Sequence, residues 1–139
     1  MVISEIYAAG SNDVSAFVIV EKGEMVHYGS HKWGGTISFG GVSAPSNNID
    51  CEVLAVICGL MMCRNNNRMS VNIYTGSYDS HRIYIQGDWQ SPFAEILKKN
   101  CEGFDLFVDK WPIEFLNRNE RKFYKNPFVI KVLQLIHEQ

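Results

Sequence analysis

The sequence predicts an α/β domain in which helices flank a mixed β-sheet, and three observations support this fold class. Short apolar runs joined by polar turns fill the first forty residues, which is typical of an antiparallel meander. The apolar period then becomes that of a helix over residues 53–61. Residues 71–75 form another β-like run after this helix, and we expect them to pair in parallel with an earlier strand through a right-handed crossover.

The meander is predicted from runs that are rich in β-branched and aromatic residues. The first two strands cover residues 2–8 and 15–20, with a polar turn between them. A hairpin turn then leads to a returning strand at residues 25–29. Residues 33–39 are either a further strand or an extension of the returning one.

The helices are predicted from capping signals and from apolar periodicity. The first helix has Asn47 or Asn48 as its N-cap and ends at the asparagine run 65–67. Ser91 and Asn126 each precede a proline, an arrangement typical of a helix N-terminus, so a second and a third helix are predicted there.

A fifth strand is predicted between the second and third helices, where residues 104–108 and 113–116 are alternative positions. The predicted order is therefore β-β-β-α-β-α-β-α. It gives a mixed five-stranded sheet, three antiparallel strands followed by parallel ones, flanked by helices.

Length and composition indicate one globular domain, which we place at residues 1–139. A hydrophobic fraction of 46% is enough to build a core. The apolar stretches are much shorter than the roughly 18 residues of a membrane span, and the N-terminus lacks the basic segment of a signal peptide. The four cysteines form no CxxC pair, so we expect reduced thiols, a cytoplasmic location and no membrane partner.

Three strings at regular spacing resemble the ribonuclease H family. Residues 6–11 (IYAAGS) resemble its first-strand motif, in which an aspartate precedes Gly-Ser, and residues 48–60 resemble its first helix. Residues 73–77 (IYTGS) resemble the end of its fourth strand, where the family has Thr-Asp-Ser. The resemblance implies a ribonuclease H-like fold. For an active member, it also implies two magnesium ions that are held by carboxylates. These ions support cleavage of the RNA strand of an RNA–DNA hybrid.

The sequence departs from the family at the catalytic positions. Ala9 and Gly76 stand where the resemblance places two aspartates, and only Glu52 falls on a family carboxylate. The last helix has no carboxylate at residues 126–130, where the family has its fourth. One exposed glutamate does not assemble a two-metal site, so the resemblance implies a degenerate, catalytically inactive member without a cofactor, in which Glu52 is vestigial.

Nucleic acid could still be bound by local groups, although the formal net charge of -2 weakens long-range attraction to phosphates. Three groups of residues are candidates, and each has an alternative role. Two asparagines could equally cap a helix, a lysine–tryptophan pair could simply pack, and a basic segment could be a solvated loop. These candidates are Asn47 and Asn48, Lys32 with Trp33, and the basic residues Arg118, Arg121, Lys122 and Lys125.

Three functions follow as hypotheses. The first is a catalytically inactive module that binds an RNA–DNA hybrid, another nucleic acid or a protein partner. The second is a magnesium- or manganese-dependent nuclease that uses rearranged carboxylates, Asp13, Glu52 and Asp79. The third is a structural domain that self-associates into homo-oligomers.

Overall fold

The chain folds around one twisted sheet, and the computed structural model describes residues 1–11, 13–34, 47–111, 114–116, 121–123 and 125–138. The elements in chain order are β1 (Ser4–Ser11), β2 (Val14–Glu21), β3 (Glu24–Lys32), α1 (Asn48–Asn65), β4 (Ser70–Thr75), a π-helix (Arg82–Gln86), α2 (Ala94–Cys101), β5 (Asp105–Lys110), β6 (Glu114–Leu116), β7 (Arg121–Phe123) and α3 (Pro127–His137).

The main sheet has the strand order β3-β2-β1-β4-β5, so β1 is central. Strands β1, β2 and β3 pair antiparallel, whereas β4 is parallel to β1 and β5 is parallel to β4. The predicted fold class is therefore confirmed. The apolar run at 104–108 contributes the fifth strand. In the alternative run, the described residues Glu114–Leu116 instead pair with β7 in a separate two-stranded sheet.

Each face of the sheet buries its own core, because successive side chains of a strand point to opposite faces. Ile6 and Ala8 of β1 pack with α1, α2 and the π-helix on one face. Tyr7 and Ala9 of the same strand pack beneath α3 on the other. The result is a three-layer arrangement in which the central strand is covered on both sides.

Asparagine caps begin the first and third helices, as predicted. The Asn47 side chain accepts a hydrogen bond from the Asp50 N–H at 2.8 Å, and the Asn126 side chain accepts one from the Phe128 N–H, also at 2.8 Å. The second helix, α2, begins at Ala94, two residues later than predicted. The Ser91 hydroxyl accepts a hydrogen bond from the Phe93 N–H at 3.1 Å and donates one to the Asp50 carboxylate at 2.7 Å, which ties this turn to the start of α1.

Two other parts of the chain differ from the prediction or lie outside the described residues. The π-helix between β4 and α2 was not predicted, because five residues without a cap carry no periodic signal. Of the run at 33–39, Trp33 and Gly34 lie outside any strand, and residues 35–39 lie outside the described residues. No helix in the described part of the chain is long and apolar enough to cross a bilayer.

The cysteines are free thiols, as predicted. Cys51, Cys58 and Cys63 lie on α1, and Cys101 ends α2. Burial raises the pKa of the Cys51, Cys63 and Cys101 thiols to about 11, so these groups stay protonated at neutral pH and behave as small apolar side chains.

Candidate functional site

A cavity of about 700 Å³ opens where the C-terminal ends of β1 and β4 meet the first turn of α1. The parallel pairing of β1 with β4 brings these two strand ends to the same edge of the sheet. The three positions that the family resemblance singled out, Ala9, Glu52 and Gly76, all line this cavity. The other lining residues are Gly10, Ser11, Asn48, Ile49, Ser77, Tyr78, Asp79, Trp111 and Leu133.

Gly10 allows α1 to approach the end of β1 closely. A Cβ atom at this position would overlap the backbone N of Glu52 and the backbone of Cys51. Backbone atoms cannot move aside as a flexible side chain can, so only glycine fits between the strand and the helix. This contact places Glu52, one turn into α1, at the edge of the cavity.

The structure buries Glu52, which corrects the expectation of an exposed carboxylate. Its residual exposure is 7%. The Tyr84 hydroxyl, from the π-helix, donates to its Oε1 at 3.1 Å, and the Ser77 backbone N–H also donates to the carboxyl. Desolvation raises the pKa of Glu52 to about 7 and outweighs these two hydrogen bonds, which lower it. At neutral pH this carboxyl is therefore divided between its charged and neutral forms.

Trp111 occupies the space next to Gly76. A Cβ atom on Gly76 would lie 2.7 Å from Cζ2 of the indole ring, which is closer than carbon atoms approach in folded proteins. The ring is held in place from the backbone, because the Trp111 N–H donates to the Thr75 carbonyl at 2.9 Å. The indole is buried at 5% exposure. Any side chain larger than hydrogen at position 76 therefore meets this ring.

The two other acids proposed as metal ligands occupy different places. Asp79 lines the cavity, and its exposed carboxylate lies 3.9 Å from the Arg82 guanidinium. Asp13 lies in the turn between β1 and β2, where its carbonyl accepts a hydrogen bond from the Trp33 N–H at 2.8 Å, and it does not line the cavity. Over the described residues, no three acidic, histidine or cysteine side chains come close enough to hold a metal ion.

The residues present do not fit the pair of magnesium ions that the fold family implies. Magnesium requires several oxygen ligands in near-octahedral geometry. Ala9 and Gly76 offer no side-chain ligand atom, and the Glu52 carboxyl already accepts two hydrogen bonds from the protein. The Trp111 ring also fills the volume that a carboxylate at position 76 would need.

The residues predicted to bind nucleic acid lie in several different environments. Asn47 caps α1 and also donates to the Asp50 carboxylate at 3.1 Å, so its side chain serves the alternative role of helix cap. Asn48 lines the cavity. Lys32 is exposed at the end of β3. Because β1, β2 and β3 pair in register, the end of β3 is at the same edge of the sheet as the cavity.

Trp33 takes the packing role that the sequence left open as the alternative to stacking on a base. Its indole is buried at 5% exposure, and its Nε1–H donates to the Ser15 hydroxyl at 2.9 Å. The ring contacts His31 edge-on, with 4.5 Å between ring centroids. In this conformation the tryptophan is a core residue and offers no face to a base.

The basic segment is only partly described. Arg118 lies outside the described residues, Arg121 and Lys122 belong to β7, and Lys125 is exposed just before α3. Sequence reasoning missed Tyr84, which donates to Glu52, and Trp111, whose ring lies beside Gly76. Tyr84 comes from the unpredicted π-helix, and Trp111 directly follows β5. The sequence does not distinguish an aromatic residue buried beside a functional site from one buried elsewhere in the core.

Comparison with known proteins finds the fold but no sequence relative. No protein-family model and no curated protein matches the chain. The N-terminal RNase H domain of a Mycobacterium tuberculosis protein matches with a TM-score of 0.63 and 14% identity, over 99% of this chain and 98% of that chain. RNase H1 from Halobacterium salinarum matches with a TM-score of 0.56 and 15% identity, over 80% and 85% of the two chains.

A third similar structure is LC11-RNase H1, which was isolated from compost and solved in complex with an RNA/DNA hybrid. It matches with a TM-score of 0.56 and 18% identity, over 81% of this chain and 86% of that one. The strand order, the mixed pairing and these likenesses together identify the fold of this chain as ribonuclease H-like.

Proposed function

We propose that this chain is a ribonuclease H-like domain that binds nucleic acid without cleaving it by two-metal chemistry. The observation that carries the proposal is the geometry around Gly76. The ring of Trp111 fills the space for a ligand side chain there, and the single remaining family carboxylate, Glu52, is buried beneath Tyr84. In the described part of the chain no three acidic, histidine or cysteine side chains meet at this cavity, which supports a site that works without a bound metal.

Support for nucleic acid as the partner comes from structures of the same fold. LC11-RNase H1 was solved with an RNA/DNA hybrid. A foamy viral protease-reverse transcriptase was solved with double-stranded DNA, and this chain matches 21% of that protein with a TM-score of 0.57 and 8% identity. In this chain, Lys32 lies at the same edge of the sheet as the cavity, and Lys125 is exposed before α3. Both cations could contact phosphates.

A fluorescence-anisotropy titration with a labelled RNA–DNA hybrid tests binding, and a denaturing gel of the same samples tests cleavage. We expect binding that weakens with salt, with a log–log slope of about -0.9 per phosphate neutralised. The labelled strand should stay intact in EDTA, in magnesium and in manganese. Metal-dependent cleavage that disappears in Glu52→Gln would show instead that the carboxylates work in a rearranged site.

Two charge variants locate the binding surface. Lys32→Gln should weaken binding and flatten the salt slope by about one phosphate contact. Lys22→Gln is the matched control, because Lys22 is exposed in the turn at the opposite end of β3. Equal losses of affinity in the two variants would show that the protein attracts nucleic acid through its overall charge and not through Lys32. An absence of binding at low salt would exclude nucleic acid as the partner.

A second candidate function, self-association, is favoured by the edge strand β3. Within the described sheet this strand pairs only with β2. It exposes the apolar side chains of Met25, Val26 and Tyr28 by 40%, 41% and 56%. Exposed apolar edge strands are templates for pairing with another chain. Light scattering would test this candidate: a concentration-dependent dimer that Val26→Lys abolishes would support it, and a monomer at all concentrations would refute it.

A further inference from the structure

A second cavity, of about 340 Å³, lies between the π-helix and α2, outside the candidate site. We propose that it is a binding site for a compact, uncharged aromatic molecule. This inference is independent of the proposed nucleic-acid function, because none of its described lining residues lines the first cavity.

The size and the walls of this cavity suit a small ring compound. Binding sites for small molecules have volumes of about 300–1,000 Å³ and walls that are mostly apolar and aromatic. Here Ile83, Tyr84, Trp89 and Leu97 supply apolar and aromatic surface from the π-helix, the following loop and α2. Flat rings bind well between aromatic walls, since offset and edge-to-face ring contacts add to the burial of area.

The charge of the walls selects an uncharged ligand. Burial raises the pKa of Tyr84 well above its usual value and that of Cys101 to about 11, so both groups are neutral at physiological pH. Among the described residues, the only charged groups in the lining are Glu95 and Lys98, which lie three residues apart on α2 and offset each other. A charged ligand would lose its hydration without gaining a net opposite charge.

The backbone around the cavity is also unusual. π-helical turns are rare and frequently occur at functional sites. The turn that forms this wall ends at Gly87, which has φ of 67° in the left-handed region that favours glycine. Tyr84 belongs to the same turn and donates to Glu52. The hydrogen bond from Tyr84, in the wall of the second cavity, to Glu52, in the wall of the first cavity, thus holds this turn in place.

The test uses indole as the probe and the Cys101 thiol as the reporter. The full chain is alkylated with iodoacetamide at alkaline pH, where part of the Cys101 thiol is ionised, with and without millimolar indole. Modification is followed peptide by peptide by mass spectrometry. We expect indole to slow alkylation of Cys101 several-fold. Cys58 is the internal control, since it is also partly buried and does not line the cavity. Equal rates at Cys101 with and without indole would overturn the proposal.

A filling variant provides the second arm. Ala94 lines the cavity at the start of α2, so Ala94→Phe should abolish the protection of Cys101 by indole. Lys99→Phe adds the same ring at an exposed position of α2 outside this cavity and should leave the protection unchanged. If Ala94→Phe does not fold, Gln86→Trp at the exposed rim replaces it. If indole still fully protects Cys101 in a folded variant whose cavity is filled, indole does not bind in this cavity and the proposal is wrong.

Discussion

Burial of Glu52 links the protonation of one carboxyl to the stability of the whole chain. Its pKa is about 7 in the folded protein, against an ordinary value of 4.5. The folded state therefore binds this proton more tightly than the unfolded state does. The free energy of unfolding should fall as the pH rises from 4.5 to about 7, and this contribution should level off above that range.

Glu52→Gln should remove this pH dependence. The amide keeps an acceptor oxygen for the Tyr84 hydroxyl and cannot ionise, so above about pH 7 the variant should be more stable than wild type by up to about 3 kcal/mol. Below about pH 4 the two proteins should differ little, since Glu52 is then protonated in both states. Urea unfolding at a series of pH values measures the difference.

Tyr84→Phe is the comparison variant. The hydrogen bond from Tyr84 lowers the pKa of Glu52, so its loss should move the decline in stability to higher pH. A wild type and a Glu52→Gln variant whose stabilities run parallel at every pH would show that Glu52 does not titrate in this range.

Gly76 and Trp111 should behave as a coupled pair. Gly76→Ala should destabilise the chain by about 1–3 kcal/mol, since the new methyl group meets the indole ring. Gly76 is not among the described glycines with positive φ, so the loss should be steric. In a Trp111→Leu background the same substitution should have little effect. A double-mutant cycle by urea unfolding measures the coupling, and additive losses would contradict the contact.

At the scale of the element, the start of α3 depends on Asn126. Its side-chain oxygen accepts hydrogen bonds from the N–H groups of Phe128 and Val129, at 2.8 and 3.3 Å. Asn126→Ala should lower stability by about 1 kcal/mol, the usual loss for an N-cap. Asn126→Asp should keep the stability of the wild type, because aspartate is an equally good N-cap residue. Thermal unfolding of the three proteins checks this order, and an alanine variant as stable as wild type would exclude a capping role.

The elements that sequence predicted well are those with local signals. Asn126 beside Pro127 and the apolar period of α1 identify helices without knowledge of their neighbours. The choice between the runs at 104–108 and 113–116 is different, since both are short and apolar. Only pairing with β4 decides which run joins the main sheet, and that pairing is a tertiary interaction.

The candidate site was predictable in part for the same reason. Ala9, Glu52 and Gly76 were placed by three short strings that resemble the ribonuclease H family, and the structure brings all three to one cavity. Tyr84 and Trp111 were not predicted to lie at this site. Their contacts with Glu52 and Gly76 depend on how the π-helix and the end of β5 pack in the folded chain. The sequence offered no local sign that an indole would stand beside Gly76.

At the scale of the whole molecule, a single helix covers most of one sheet face. Val129, Val132, Leu135 and Ile136 of α3 are buried against β1 and β2. A chain that ends at Lys125 should expose this face and lose cooperative unfolding, since the second core cannot form without α3. Near-UV circular dichroism and dye binding to exposed apolar surface measure the loss. Removal of Glu138 and Gln139 alone should have little effect, and a cooperatively folded short chain would contradict the layer assignment.

The central position of β1 has a consequence for the order of folding. Its antiparallel neighbour β2 follows within a few residues, but its parallel neighbour β4 comes only after α1, so that Ser4 pairs with Val71. Closing so long a loop is entropically costly and slow compared with forming a hairpin. During synthesis, β1 can pair on one side as soon as β2 emerges, while its other side waits for α1 and β4. The end of β4, with Gly76 after it, thus reaches β1 last, so the cavity that these two strand ends form is completed late in folding.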